Sequence, residues 1–291
     1  MKYWLRLTGK NVAHLPELAR VAESAGFDGV MLPDHIVTPR RIDSRYPYGP
    51  AGSERPPWPP ELPWPDPFVA FAAMAAVTTY LRFATYVLVA PMREPLTLAK
   101  QVATASALSD GRVALGLGVG WCREEFEILG HDFDSRGARL DEMIEVMRAV
   151  WHGGWVSGKG PSYPFQELRE DPAPPGPVPI WIGGDGAAAF RRAVTVGDGW
   201  VGPNYPPEIL PQRVAAMRRV LEESGRSPEG FELMVSPMVE DANTLWGLAE
   251  LGLTGVVVAP GPAQMSQPGE SELDESRAAI ERFARTVFGR R

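Results

Sequence analysis

Val113-Ala114-Leu115-Gly116-Leu117-Gly118-Val119-Gly120-Trp121 is an apolar run of strand length that ends in alternating glycines. A polar segment follows to about Gly137, and then Leu140, Ile144, Met147 and Trp151 recur at helical spacing. A strand covered on both faces is continuously apolar, and a parallel partner is reached only through a crossover helix. The segment therefore reads as one strand–loop–helix unit. The same unit recurs outward in both directions. Toward the C-terminus come a strand at Ile180 to Ile182 with a helix holding Ala187, Phe190 and Val194, then a short strand at Trp200-Val201 with Leu210, Val214, Met217 and Leu221. Next come Phe231 to Ser236 with a helix at Leu245 to Leu251, and Gly255 to Val258 with Ile280, Phe283 and Val287.

Toward the N-terminus, Arg82 to Val89 is a strand, and the helix opened by Pro95 turns Leu98, Val102, Ala105 and Leu108 inward. Gly29 to Leu32 is another strand. The helix after it opens on Asp66-Pro67, an N-cap followed by proline at the first helical position. Tyr3 to Thr8 is the first strand, and the helix after Asn11 carries Leu15, Leu18, Ala22 and Ala25 before Gly26 ends it. The tally is eight strands and eight helices. Eight repeats favour a closed (β/α)8 TIM barrel of the α/β class over an open sheet, because closure leaves no edge strand. Such a barrel needs about 250 residues, so residues 1–291 read as a single barrel domain. The surplus goes into long loop insertions after the second strand (Asp34 to Pro65) and the fourth, with a further Pro/Gly-rich stretch from Gly153 to Pro179.

Composition narrows the function classes. Hydrophobic residues are 44%, charged residues 22% and the formal net charge is −7, which disfavours a nucleic-acid footprint, since that needs a basic face. The single Cys122 excludes an internal disulfide. No apolar run of about 18 residues and no secretory leader is visible, so a cytoplasmic protein acting on a small molecule, without a membrane, is expected. Four scattered histidines lack ligand spacing, so no metal site is expected. Neither a hydrolase elbow nor a phosphate-binding P-loop occurs.

In this architecture chemistry gathers where strands end. After the second strand stands Pro33-Asp34-His35. An Asp–His pair there suits positioning a ring or moving a proton, since imidazole titrates near neutrality. The bland alternative is a loop-capping Asp and a His bonded to backbone. The glycines of Gly116 to Gly120 allow close backbone approach to a ligand, or simply a tight turn. Ile182-Gly183-Gly184-Asp185-Gly186 runs straight into a helix whose free amides suit an anion, with Ala187, Ala188 and Ala189 leaving room. Arg139, Asp141, Glu142 and Glu145 read as a solvated helix face, with Arg136 and Arg139 as the alternative braces of the insertion before them. His14 and His152 read as structural, and Cys122 lacks a paired base.

At these strand ends the chain resembles the luciferase-like monooxygenase superfamily. The resemblance spans about Glu17 to Pro203. It rests on Ala25-Gly26-Phe27-Asp28-Gly29-Val30 with Pro33-Asp34-His35, on Leu81 to Val89, and on Leu98 to Thr104 with Leu108-Ser109-Asp110-Gly111-Arg112. It rests most on Gly116 to Trp121 running into Glu125-Phe126, on Pro179 to Gly184, and on Gly197-Asp198-Gly199-Trp200. The order and spacing of these pieces make it specific. The resemblance implies an isoalloxazine-like ring across the strand ends and a bulge with a non-proline cis peptide at Tyr86-Val87. It also implies Val119, Gly120 and Trp121 near the ring, and a phosphate turn at Gly183, Gly184, Asp185 and Gly186. Asp34 would lie at the ring edge and His35 on the substrate side, with Asp34 orienting the ring or His35. Ser44-Arg45-Tyr46-Pro47-Tyr48 and the Pro/Trp-rich loop after it resemble the deazaflavin (coenzyme F420) subgroup, whose reaction is hydride transfer to or from an organic substrate. Tyr46, Tyr48, Trp58, Trp64 and Trp121 would wall the pocket, and family members are often homodimers. The rival readings are an FMN-dependent monooxygenase, a non-catalytic flavin-binding barrel, and a barrel enzyme without flavin.

Overall fold

The structure, a computed structural model, describes residues 1–49, 54–239, 241–261 and 270–289. Part of the long loop expected between Asp34 and Pro65, residues 50–53, lies outside them. The strands are β1 (Lys2–Arg6), β2 (Gly29–Leu32), β3 (Arg82–Thr85), β4 (Leu88–Val89), β5 (Val113–Gly118), β6 (Val156–Gly158), β7 (Phe165–Leu168), β8 (Ile180–Gly183), β9 (Gly199–Tyr205), β10 (Glu232–Pro237) and β11 (Gly255–Val258). The helices are α1 (Leu15–Ala25), α2 (Pro67–Ala75), α3 (Pro95–Leu108), α4 (Arg123–Ile128), α5 (Arg136–Trp151), α6 (Ala187–Val196), α7 (Leu210–Glu223), α8 (Ala242–Gly247) and α9 (Glu270–Val287). Among the described residues, no helix is long and apolar enough to cross a membrane.

The principal sheet runs β3-β2-β1-β11-β10-β9-β8-β5-β4, every pairing parallel, and β3 also pairs with β5. That last pairing, Phe83 with Val113 and Ala84 with Ala114, closes the barrel. β3 and β4 are the expected third strand broken in two. The interruption is Tyr86-Val87, whose peptide is cis, as the family resemblance implies.

Side-chain alternation sorts each strand into two faces. Outward residues such as Leu5, Val30, Phe83 and Leu115 meet the helices in the main core. Inward, one residue from each of the eight barrel strands, from Trp4 on β1 to Val257 on β11, forms a dry layer. Trp4 and Trp181 meet there edge to face at 5.3 Å. This layer plugs the lumen, so anything above it sits at the C-terminal mouth.

The structure departs from the expected elements at four points. Leu108 is 65% exposed, not inward. At about 100° per residue it lies roughly 80° off the stripe of Leu98, Val102 and Ala105, and Ser109 continues that stripe instead, being buried. Ala187 is exposed, and α6 buries Phe190 and Ala193. The Pro/Gly-rich stretch after α5 contains the antiparallel pair β6–β7, and the polar segment after β5 contains α4.

Candidate active site

A cavity of about 990 Å³ opens at the C-terminal mouth. The strand-end residues singled out by the sequence all line it: Asp34 and His35 after β2, Tyr86 and Val87 between β3 and β4, Val119, Gly120 and Trp121 after β5, and the turn Gly183 to Gly186 after β8.

One wall is made of backbone. Between β3 and β4 the chain steps toward β5 and β8, and those strands carry glycine where it does so. A Cβ on Gly116 would lie 2.2 Å from the Thr85 carbonyl oxygen, and one on Gly183 would lie 2.7 Å from Val87 Cγ1. Glycine at these sites is therefore required by the crossing of two strands. After β8 the chain turns through Gly184 at φ 119°, a conformation that L side chains rarely adopt. It then enters α6, whose first turn receives no side-chain cap. Uncapped amides at a ten-residue helix start, beside Ala188 and Ala189, are a donor set fitted to a phosphate. Asp185 itself is taken up by its neighbours. Tyr205 donates its hydroxyl to Oδ1 at 2.5 Å, and Arg213 stands 3.5 Å from Oδ2. Burial and that carboxylate both push the Tyr205 hydroxyl above its ordinary pKa, so it remains a donor.

The other wall is made of side chains. Glu125, the third residue of α4, is 1% exposed. Its Oε1 accepts the amides of Ile36 at 2.7 Å and Val37 at 3.2 Å, and its Oε2 lies 2.8 Å from His35 Nδ1. Against an acceptor already holding two amides, Nδ1 is the natural donor, which leaves Nε2 for the cavity. The neighbouring Glu124 repeats the device seven residues along the loop: its Oε1 accepts the amides of Asp43 at 2.7 Å and Ser44 at 2.9 Å. Burial acts to raise the Glu124 carboxyl, but hydrogen bonds from its own amide, the Ser44 hydroxyl and the Asp43 and Ser44 amides outweigh it and hold the group at about 2. Two consecutive glutamates thus staple the long loop to the barrel.

The stapled loop presents aromatic rings. Tyr46 meets Trp58 at 5.1 Å and Trp121 at 5.2 Å, while His35 lies 4.8 Å from Trp64. Burial pushes the Tyr46 and Tyr48 hydroxyls above their ordinary pKa. This is the aromatic wall expected from Tyr46, Tyr48, Trp58, Trp64 and Trp121.

Asp34 differs from expectation. It is 5% exposed and bound by Arg93, whose Nη2 and Nη1 donate to its two oxygens at 2.7 and 2.8 Å. The Val89 amide adds a third bond at 3.1 Å. Asp34 therefore ties β2 to the end of β4, and Glu125 is the partner of His35. Sequence reasoning missed Arg93 altogether and quoted Glu125 only as part of a motif. The available signal was that a buried Asp requires a cation. The charged face of α5 is likewise only partly solvated. Arg139 is buried and donates to the carbonyls of Pro91 and Asp132, so the bracing alternative holds. Asp141 pairs with Arg192, and Glu142 accepts the amides of Ser162 and Tyr163. Arg136 donates to the Gly120 and Phe133 carbonyls.

Tyr86 crosses the lumen and donates to the Gly202 carbonyl at 2.8 Å, and burial raises its hydroxyl to about 12. A cavity of this volume, with a rim free of obstructing Cβ atoms, an uncapped helix start and aromatic walls, fits a tricyclic ring with a phosphate-bearing tail.

Comparison with known proteins places this geometry. The family model described as luciferase-like monooxygenase matches residues 4–244. An uncharacterised protein of Mycobacterium tuberculosis is 36% identical over 276 residues, covering 94% of each chain. An F420-dependent glucose-6-phosphate dehydrogenase of Nakamurella multipartita is 29% identical over 236 residues, 78% of this chain and 63% of that relative. Among solved structures, a monooxygenase from Streptomyces bottropensis superposes with a TM-score of 0.75 at 18% identity, covering 100% of this chain and 99% of the other. The coenzyme F420-dependent tetrahydromethanopterin reductase of Methanopyrus kandleri gives 0.72 at 15%, with 99% of each chain covered.

Proposed function

The chain belongs to the luciferase-like monooxygenase family, and from that premise we propose that it is an oxidoreductase moving a hydride between deazaflavin coenzyme F420 and an organic substrate. The observation that carries this reading is the backbone cradle between β3, β5 and β8, ending in the uncapped start of α6. The relatives and structural neighbours named for F420 dependence support the choice of ring.

When bound, the deazaflavin supplies a carbon that gives or takes hydride. The protein's part is orientation, charge and exclusion of water. Tyr86, Val87, Val119, Gly120 and Trp121 would hold the ring, and the amides from Gly184 into α6 its phosphate. His35 holds or accepts the substrate's proton at Nε2. Glu125 is a positioning residue that fixes the imidazole. Asp34 acts through Arg93 and Val89, keeping the rim beside the ring in register. The aromatic loop shuts water away from the reacting carbon.

Titration of the purified chain with oxidised F420 and with FMN, followed by ligand fluorescence, tests the reading. F420 is expected to saturate one site and FMN to bind at least tenfold more weakly. Saturable FMN binding without F420 binding would replace this proposal with an FMN-dependent monooxygenase; a structural neighbour named as a monooxygenase keeps that reading in play. Ring binding without substrate-dependent oxidation of the reduced ring would leave a flavin-binding barrel.

A further inference from the structure

The floor of the cavity holds a cation that the proposed cofactor site does not use. Trp4 and Arg6 are two residues apart on β1 and so share the inward face. Trp4 belongs to the dry layer, and Arg6 stands one step above it, facing the cavity. Its guanidinium reaches across the lumen. Nη1 donates to Asn204 Oδ1 on β9 at 2.7 Å, although β11 and β10 separate β1 from β9 in the barrel order. The guanidinium carbon lies 5.8 Å from the centre of the Tyr86 ring. Nε is buried without a hydrogen-bond partner. Among the described residues no carboxylate pairs with Arg6, whereas the acids nearest the mouth are engaged elsewhere: Asp34 by Arg93, Asp185 by Tyr205 and Arg213.

An inward, half-buried guanidinium with an unsatisfied donor edge is unfavourable unless something completes it. Nε is closed off from the cavity, so the guanidinium meets the cavity through its Nη groups, planar charged donors suited to an oxyanion such as a carboxylate. Its Cα lies on β1, four strands from β8 around the barrel, while its guanidinium approaches the Tyr86 edge of the cradle, where a substrate stacked beside the ring would lie. We infer that Arg6 anchors the substrate, and that the substrate carries a carboxylate or a comparable oxyanion. Asn204 holds the guanidinium in place, and the neutral side chains of Thr8 and Ser236 line the cavity with it. This deepens the oxidoreductase reading by naming the substrate's chemistry, and rests on it for the claim that the bound anion is turned over.

The test uses the chain without cofactor and reads tryptophan fluorescence and heat on titration with benzoate, with benzamide as its neutral isostere, and with inorganic phosphate. Benzoate is expected to bind about 10–100-fold more tightly than benzamide, the range of a charge-assisted hydrogen-bond pair. Arg6→Gln should bring benzoate down to the benzamide level while F420 affinity stays unchanged. Arg6→Lys, which preserves charge but not the fork, should fall between, and it guards against a folding defect. Phosphate that displaces benzoate only when Arg6 is present would assign a phosphoryl oxyanion to the same fork. A benzoate preference that survives Arg6→Gln, or none in the parent chain, overturns the inference. So does selective loss of F420 binding in Arg6→Gln, because that makes Arg6 a cofactor residue. A chain that keeps the Arg6-dependent preference yet binds neither ring loses the redox reading alone.

Discussion

The two walls of the cavity are built from different material. Between β3, β5 and β8 the wall is backbone, shaped by glycines that make room for a crossing strand. Between the long loop and α4 the wall is side chain, held by Glu124, Glu125 and a set of rings. Where the strands cross, at Gly116, Gly118 and Gly183, the backbone wall has no atoms to give up and no room to add one. A side-chain wall can keep its shape through conservative exchange while losing its chemistry. Substitutions should therefore separate the walls: changes on the loop side should cost turnover first, and changes on the glycine side should cost folding first.

The largest effect is expected on the loop side. His35→Ala should lower kcat by about 10²–10⁴ with the melting temperature little changed, if His35 moves the proton. Glu125→Gln retains an oxygen for the Ile36 and Val37 amides but weakens the hold on Nδ1, so it should give a smaller loss of kcat and a shifted pH profile. Steady-state kinetics across pH check both. An unchanged kcat in His35→Ala would dissolve the contrast, leaving the side-chain wall purely structural.

Asp34→Ala joins the walls, because Asp34 connects β2 to β4 through Arg93. Removing one partner of a buried ion pair costs about 3–5 kcal/mol, and here an amide loses its acceptor as well. Denaturant unfolding should show that loss, with F420 affinity falling alongside it. Gly116→Ala comes next. A methyl 2.2 Å from a backbone oxygen forces the strands apart, and such overpacking costs about 1–3 kcal/mol or somewhat more. Gly186→Ala is the control: an added Cβ there meets open space, and the melting temperature should not move.

The same contrast explains what the sequence made legible. The glycine runs at 116–120 and 183–186 mark the backbone wall, because glycine at a strand end is a local signal of close approach. Eight strands could be counted because each is a local apolar run, and β2 and β11 fall on the expected boundaries. The side-chain wall depends on partners far apart in the chain. His35 meets Glu125 ninety residues away, and Asp34 meets Arg93 fifty-nine residues away. No local pattern distinguishes those partners from any other surface acid or base. Of the two roles expected for Asp34, orienting the ring or His35, the second followed adjacency in sequence, yet on an extended segment neighbouring side chains point apart. Arg6 escaped notice for the same reason: a single arginine at the end of an apolar strand gives no sign of where the strand's inner face leads.

The smallest effect is expected where the walls meet, at Cys122, the residue between the glycine rim of β5 and the start of α4. It is buried, and its Sγ lies 3.4 Å from Glu124 Oε2. Burial first, and the nearby Glu124 and Glu125 carboxylates after it, raise the thiol to about 12. A free thiol titrates near about 8.5, and the thiolate is the reactive form. At pH 8 the native thiolate fraction is then roughly a thousandfold below that of the unfolded chain. Iodoacetamide should leave Cys122 untouched in native protein and label it promptly in denaturant. The linkage has a definite sign. With the folded value above the unfolded one, the thiol's contribution to stability is complete below about pH 8.5 and is lost as pH rises toward about 12. Cys122→Ser should flatten that alkaline decline and leave kcat unchanged. Rapid native labelling accompanied by loss of turnover would place Cys122 in the chemistry, and the side-chain wall would then extend across the β5 rim.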